Sequence, residues 1–380
     1  MMASLITIFR EMPDPRRGNA QRHELLDILT IALVASVCGA ESCVDFAEFA
    51  GDREVLLREF LELENGLPSH DTFSRVFRML DPTAFGRVFE AFLSDLGADG
   101  PGVLAIDGKT LRRSFDRAAG RSPLHVVTAF GADARLSFGQ RAVAPGENEI
   151  TAARALLATL TLDGALVTGD AIHAQSETAQ MVLDRGGDYL FALKANRPAM
   201  LEAVTTFFTD PPEPLEVFET TDADHGRIEI RRHRVTHSVN WLFGDRAEPG
   251  APVMPGLATL ACVEARRDDG APSTRYYLSS ARLSPQKFAQ AVRSHWAIEN
   301  SLHWVLDVTF DEDAARNRAD NGPENLAILR RLSLNLLRTA RPKLPISRKR
   351  KRAGWSDEFA RSIIGQMRLP CFKGLRGFPI

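Results

Sequence analysis

Apolar residues fall at helical spacing through residues 1–95 and then give way to short runs of strand character. After the polar turn Asp14-Pro15-Arg16-Arg17-Gly18 the pattern predicts a helix over 24–39 and a second over 43–62. Gly66 to Asp71 is a polar break, in which Ser69 suits the N-cap of a third helix, with Thr72 where a capping box has Glu. Asp81-Pro82 ends that helix, and another runs over 83–96. Gly97 to Gly102 reads as a linker. Beyond it come a strand at 103–107, a loop, and β-rich runs at 124–130 and 135–143 joined by a turn at Gly131-Ala132-Asp133. A helix over 148–160, a strand ending at Asp170, a helix near 175–185, a strand at 189–193 and a helix opened by Pro198 follow. Three strands and two crossover units make a five-stranded mixed sheet covered by helices. Short alternating stretches then mark residues 209–283 as a β-rich insertion, and helical patterning returns over 284–306 and 323–340. The division expected is a helical part at 1–96, an α/β core split between 103–208 and 284–340, the insertion between them, and a tail at 341–380.

Composition bounds the partners. With 380 residues, 44% hydrophobic and 25% charged, the chain is a folded one of roughly two to three domains. Its net charge of −2 hides an uneven distribution: residues 341–380 carry eleven Lys and Arg against Asp357 and Glu358. A basic tail on an acidic body suits contact with a polyanion, and a solvated tail fits the same run. Cys38, Cys43, Cys262 and Cys371 show no CxxC spacing, so neither a disulfide framework nor a zinc site is expected, and a cytoplasmic location follows. The longest apolar stretch, Leu25 to Ala40, falls short of the roughly 20 residues that span a bilayer, and the first ten residues lack a basic signal region. No membrane partner is expected.

The candidate chemistry lies in three carboxylates. Asp107 closes the run Val103 to Ile106, Asp170 closes Ala165 to Gly169, and Glu299 lies in a helical stretch between His295 and His303. Two strand-end aspartates and a helix-borne glutamate form an all-oxygen set suited to Mg²⁺ or Mn²⁺, and two such ions serve phosphodiester chemistry. Gly108-Lys109-Thr110 is not a P-loop, because residue 103 is Val where the motif needs Gly. His295, Glu299 and His303 follow i, i+4, i+8 spacing, which is not the H-E-x-x-H of zinc proteases. Glu299 beside apolar neighbours is costly to bury unpaired, so it is salt-bridged or metal-bound. Trp296 and Trp304 are expected to pack that helix; Trp241 suits a core position, as a lone tryptophan usually does, with stacking on a base as the alternative. Lys109, Arg112, Arg113 and Lys194 follow core strands and suit phosphate contacts. The stretch 225–234, with Arg227 and Arg231, either lies along a DNA backbone or guards a sheet edge with charge. Arg75 and Arg78 share one face of the 70–80 helix, which fits a DNA-reading domain and a plain bundle equally.

Longer motifs carry a resemblance. Leu-Ala-Ile-Asp-Gly-Lys-Thr (104–110), Gly-Asp-Ala-Ile-His-Ala-Gln (169–175), Leu-Lys-Ala-Asn (193–196) and His-Gly-Arg-Ile-Glu (225–229) resemble segments of bacterial insertion-sequence transposases of the DDE class, in the family of the H-repeat-associated proteins. So do the run 293–310, Glu-Asp-Ala-Ala-Arg (312–316), Asp-Pro-Arg-Arg-Gly (14–18) and Lys-Arg-Lys-Arg-Ala-Gly-Trp (349–355). The resemblance covers nearly the whole chain. It implies an RNase H-like fold, a triad of Asp107, Asp170 and Glu299 holding two Mg²⁺ or Mn²⁺ ions, recognition of terminal inverted repeats and target DNA, and a homodimer or higher assembly. One departure is visible: related enzymes carry a Tyr-Arg-Glu-Lys signature around the glutamate, and here His295 replaces the arginine and Leu306 the lysine. Arg293 and His295 are the candidates to take over the phosphate. A DNA-binding protein without catalysis and a nuclease that only hydrolyses remain the alternatives.

Overall fold

The computed structural model describes residues 5–96, 102–224, 227–242, 254–267 and 271–365. Its strands are β1 (Val103–Thr110), β2 (His125–Gly131), β3 (Leu136–Ala142), β4 (Leu166–Gly169), β5 (Asp188–Leu193), β6 (Glu216–Asp224), β7 (Arg227–Thr236), β8 (Thr259–Arg267) and β9 (Ser273–Ser279). They form one mixed sheet in the order β3-β2-β1-β4-β5-β9-β8-β7-β6. The five expected strands are contiguous in it, with β4 parallel to β1 and to β5, as an RNase H-like core requires. The segment expected as an insertion is continuous with that core. β9 pairs antiparallel with β5, Leu190 opposite Ser279, so the extra strands cover an edge that would otherwise present unpaired backbone groups. β1 is also longer than the apolar run predicts. Gly108, Lys109 and Thr110 stay in strand because Val127, Val126 and His125 of β2 continue the antiparallel ladder.

The helices form a second body of packing. Leu25–Cys38 is apolar almost all round and buried almost throughout, against the helices Gly322–Thr339, Ile346–Trp355 and Asp357–Ile364. A single hydrophobic cluster runs from Leu5 to Ile364 and takes in Ile298, Leu302, Leu306 and Phe310. No single helix among the described residues is long and apolar enough to cross a membrane. The stretch expected as one helix over 43–62 divides at Arg53 into Cys43–Asp52 and Glu54–Leu57. Ser42 and Asp45 form a capping box there, whereas the Ser69 hydroxyl meets that of Thr72 at 3.2 Å instead of capping its helix.

Part of the basic tail is structural. Lys349 is buried and donates to the carbonyls of Leu337 at 2.6 Å and Ala340 at 2.5 Å, the open end of the Gly322–Thr339 helix. Arg350 donates to the carbonyls of Ser36 at 3.1 Å and Ala40 at 2.9 Å, closing the Leu25–Cys38 helix in the same way. A cation at a helix C-terminus satisfies orphan carbonyls and meets the negative end of the dipole. These two charges are therefore spent inside the fold.

A buried charge network ties sheet to helices. Glu312 and Arg331 are both 0% exposed in their side chains, with Oε1 2.7 Å from Nη1, and Lys109 of β1 reaches Glu312 Oε2 at 3.2 Å as well as Asp307. Burial raises the Glu312 pKa, but Arg331 and then Lys109 outweigh it and hold the carboxyl down to about 2. A depressed folded-state pKa adds stability that is present above the ordinary value of 4.5 and lost as pH falls toward 2. Glu312→Gln leaves two buried cations underpaired and is expected to lower unfolding free energy by about 3–5 kcal/mol. Denaturant titration checks this, and the gap to the unaltered protein should narrow as pH drops below 4.5.

Candidate active site

Register places the two aspartates together. Ile106 of β1 lies opposite Gly169 of β4 in the last pair of the parallel ladder, so Asp107 and Asp170, the next residue on each, stand side by side where that ladder ends. Neighbouring strands are about 4.8 Å apart. Glu299 comes from the facing wall. The helix Pro285–His295 crosses the sheet over β1 and β4, and the chain then widens into a π-helical turn, Ile298–His303, before Trp304–Phe310. The sequence predicts a regular helix here. The wider turn buries Ile298 and Leu302 while His295 Nδ1 meets Thr168 Oγ1 at 3.1 Å and His303 Nδ1 lies 3.5 Å from Asp107 Oδ2. Such turns recur at functional sites. Glu299 is exposed to the cleft instead of packed among apolar neighbours, so the argument from burial cost does not apply to it.

All three carboxylates line one cleft of about 550 Å³, together with Lys194, Arg275, His295 and Trp296. Burial pushes the Asp107 carboxyl up to about 6; the Gly108 backbone bond opposes this, and the charges of Glu149, Glu299 and Asp170 add to it. Burial, with the charges of Arg331 and Lys109, pushes His303 down to about 3, so it is neutral beside Asp107. Behind β1 stands a second group that the sequence did not bring in. Glu149, at the start of the helix Glu149–Leu157, lies 2.7 Å from His125 Nε2 and 3.4 Å from His173 Nε2. A Cβ on Gly108 would meet the Glu149 carboxyl at 2.5 Å and the His125 ring at 2.6 Å, so only glycine lets this group approach the strand. His173, three residues after Asp170, is visible in the motif; Glu149 carries no signal beyond its place in the first turn of a helix.

The cationic candidates divide. Lys194 Nζ lies 3.5 Å from Asp170 Oδ2, within the cleft. Lys109 is corrected: it is 9% exposed and committed to Asp307 and Glu312, because its strand continues three residues past Asp107. Arg112 and Arg113 are exposed on the loop after β1. Arg231 of β7 and Arg293 of the helix Pro285–His295 converge on Asp222 of β6, which offsets their charge. The side chain of Arg227 lies outside the described residues, as do residues 366–380. His295 lines the cleft, with its pKa lowered first by burial. The tryptophans also differ from expectation. Trp296 is 42% and Trp304 60% exposed, and Trp296 carries the Arg275 guanidinium 5.3 Å above its ring. Trp241 stacks on Phe207 but is 38% exposed, so it lies at the edge of the apolar packing and not in a core. Arg275 carries no sequence signal; only the pairing of β9 with β5 brings it to the site.

Comparison with known proteins follows the same lines. A family described as Transposase DDE domain matches residues 98–336, and one described as DDE_Tnp_1-associated matches residues 6–93. The chain belongs to the DDE transposase family. It is 33% identical over 366 residues to "H repeat-associated putative transposase YhhI" of Escherichia coli strain K12, covering 93% of this chain and 95% of that protein. It is 42% identical over 265 residues to an uncharacterized protein in the dhlA 3′ region of Xanthobacter autotrophicus, 68% of this chain and 88% of that one. A piggyBac transposase synaptic complex with hairpin DNA aligns at TM-score 0.43 and 12% identity over 98% of this chain and 82% of that chain, which adds nothing to the assignment.

A DDE transposase acts on DNA and depends on divalent metal in general. Among the described residues no three His, Cys, Asp or Glu side chains are already drawn together as a ligand set. The donor chemistry nevertheless fits. Carboxylate oxygens are hard ligands, and the mutual repulsion felt at Asp107 is what a bound cation relieves. A carboxylate raised in the folded state opposes folding once it ionises, so stability is lost as pH rises through about 6. Asp107→Asn is therefore expected to stabilise the metal-free transposase at pH 7.5 by on the order of 1–2 kcal/mol, with the gain vanishing below pH 4. Thermal melting in a chelator checks this, and a loss of stability would mark Asp107 as a structural residue.

Proposed function

We propose that this transposase cuts and joins DNA at the terminal inverted repeats of its own insertion sequence, with Asp107, Asp170 and Glu299 as the metal-holding triad. The in-register placement of Asp107 and Asp170, with Glu299 on the facing wall of the same cleft, carries the proposal. Asp107, Asp170 and Glu299 would hold two Mg²⁺ or Mn²⁺ ions, which would supply Lewis-acid activation of the attacking hydroxyl and stabilisation of the leaving oxygen. The protein's own part is positioning. Lys194 and Arg275, which follow the last β5–β9 pair Leu193–Tyr276 and so stand together on one wall of the cleft, hold the scissile phosphate by charge, in place of the signature arginine and lysine that His295 and Leu306 replace. Neutral His303 keeps Asp107 oriented through its ring nitrogen. The Glu149 group backs the strand ends, so that the aspartates do not swing away when the cleft fills. Joining two ends to a target requires at least a dimer on DNA.

Incubation of the protein with Mg²⁺ and DNA carrying the ends that flank its gene tests this. Cleaved and joined products are expected, and Glu299→Gln should bind the same DNA while cutting at least 10³-fold more slowly. Cleavage without joining would favour a nuclease, and binding without either a protein that has lost catalysis. Arg275→Ala should lower the cleavage rate at saturating DNA by roughly 10–100-fold, with partial rescue by Arg275→Lys; an unchanged rate removes Arg275 from the site.

A further inference from the structure

Three segments far apart in sequence meet beside the cleft and bring eight arginines with them. Arg75 and Arg78 come from the helix His70–Met79, Arg112, Arg113, Arg117 and Arg121 from the loop after β1, and Arg316 and Arg318 from the segment 315–321. The same stretches hold three acids, Asp71, Asp116 and Asp320, and neither Lys nor Glu. Their meeting is fixed by specific bonds. Asn321 N–H donates to the Arg78 carbonyl at 3.4 Å, Arg121 to the Asp320 carbonyl at 3.4 Å, and Arg318 to the Arg113 carbonyl at 3.1 Å.

How these charges are held decides what they are for. On β7 the arginines are cancelled by carboxylates: Arg231 by Asp222 and Glu229, Arg232 by Glu219, Arg234 by Glu264. Of the eight arginines here, only Arg78 and Arg112 meet a carboxylate among the described residues, at Asp320 and Asp313. Arg117 and Arg318 are held over the Phe115 ring instead, at 5.2 and 4.5 Å. A ring orients a guanidinium without neutralising it, leaving its donors for another ligand. Between the helix and the 315–321 segment lies a hollow of about 280 Å³ lined by Arg78, Arg316, Asn317 and Arg318. Its wall is rich in donors suited to an anionic oxygen.

We propose that this surface seats the phosphate backbone of duplex DNA and guides one strand into the carboxylate cleft. Thr110, where the loop begins, is three residues beyond Asp107, about 10 Å along the strand. That is well within one turn of B-DNA, roughly 34 Å. Both sites lie at the same end of β1, so a duplex on the arginines passes the cleft mouth. The proposal rests on the transposase reading, and it assigns to one face the sequence-independent share of binding, which comes from phosphate neutralisation.

The test is fluorescence-anisotropy binding of a 30-base-pair duplex across a salt series, without divalent metal, using the full-length protein and the variant R75Q/R113Q/R117Q/R316Q. The expected result is at least a tenfold weaker Kd at about 0.1 M salt, with the slope of log K against log salt smaller by roughly 2–4. R266Q/R282Q, at exposed arginines on β8 and in the turn after β9, should bind as the unaltered protein does. Should the quadruple variant not fold, R75Q/R316Q and R113Q/R117Q are each expected to show about half the slope change. Unchanged affinity and slope in folded variants would overturn the surface and leave the transposase reading standing. Failure of the unaltered protein to bind any duplex would overturn both.

Discussion

The ion pair between Glu312 and Arg331 is what the rest of the molecule is built around. Both side chains are fully buried, and among the described residues the groups that replace their hydration are each other, Lys109 and the Ala327 carbonyl. A pair of this kind is weak evidence for net stability, but it is unforgiving about geometry. Lys109 sits two residues beyond Asp107 on β1, and Glu312 follows the helix that continues from Glu299. The network therefore fixes how the strand bearing one carboxylate stands against the turn bearing another. A hydrophobic contact tolerates sliding; this one does not.

Much of this was legible in the chain, and what was not has identifiable causes. Apolar runs closed by an aspartate reveal strand ends, and the order of strands and helices is enough for the five core strands. Periodicity reports which residues face inward, but it is silent on which strand edges meet. The joining of β9 to β5 was invisible for that reason, and Arg275 with it. A π-helical turn leaves no mark in a pattern of 3.6-residue spacing, so Glu299 was expected under apolar neighbours and lies instead on the cleft wall. Charge patterning misled most. Lys109, Lys349 and Arg350 look like solvent-facing cations, and all three spend their charge on buried carboxylates or helix-end carbonyls. Sequence counts charges and does not show which have found partners.

Charge is also sorted in space. Burial, with neighbouring carboxylates adding to it, makes Asp107 resist ionisation, while the Arg117 and Arg318 guanidinium groups past the end of β1 are held on a ring and not on a carboxylate. Each region is uncomfortable alone. Phosphate held by the arginines and a cation held by the carboxylates relieve both, so substrate and metal are favoured by the same imbalance that strains the free protein.

The Leu25–Cys38 helix has a consequence for how the chain is made. It is apolar almost all round, and the helices Leu5–Glu11 and Cys43–Asp52 cover only part of it; the rest of its cover is the helix Gly322–Thr339 and the two that follow it. A ribosome adding about 5–20 residues per second needs some tens of seconds to deliver that remaining cover. Through that interval the nascent chain carries a largely apolar helix that only its near neighbours in sequence can shield. The order of synthesis and the order of packing run in opposite directions, and the core closes only when the last helices arrive.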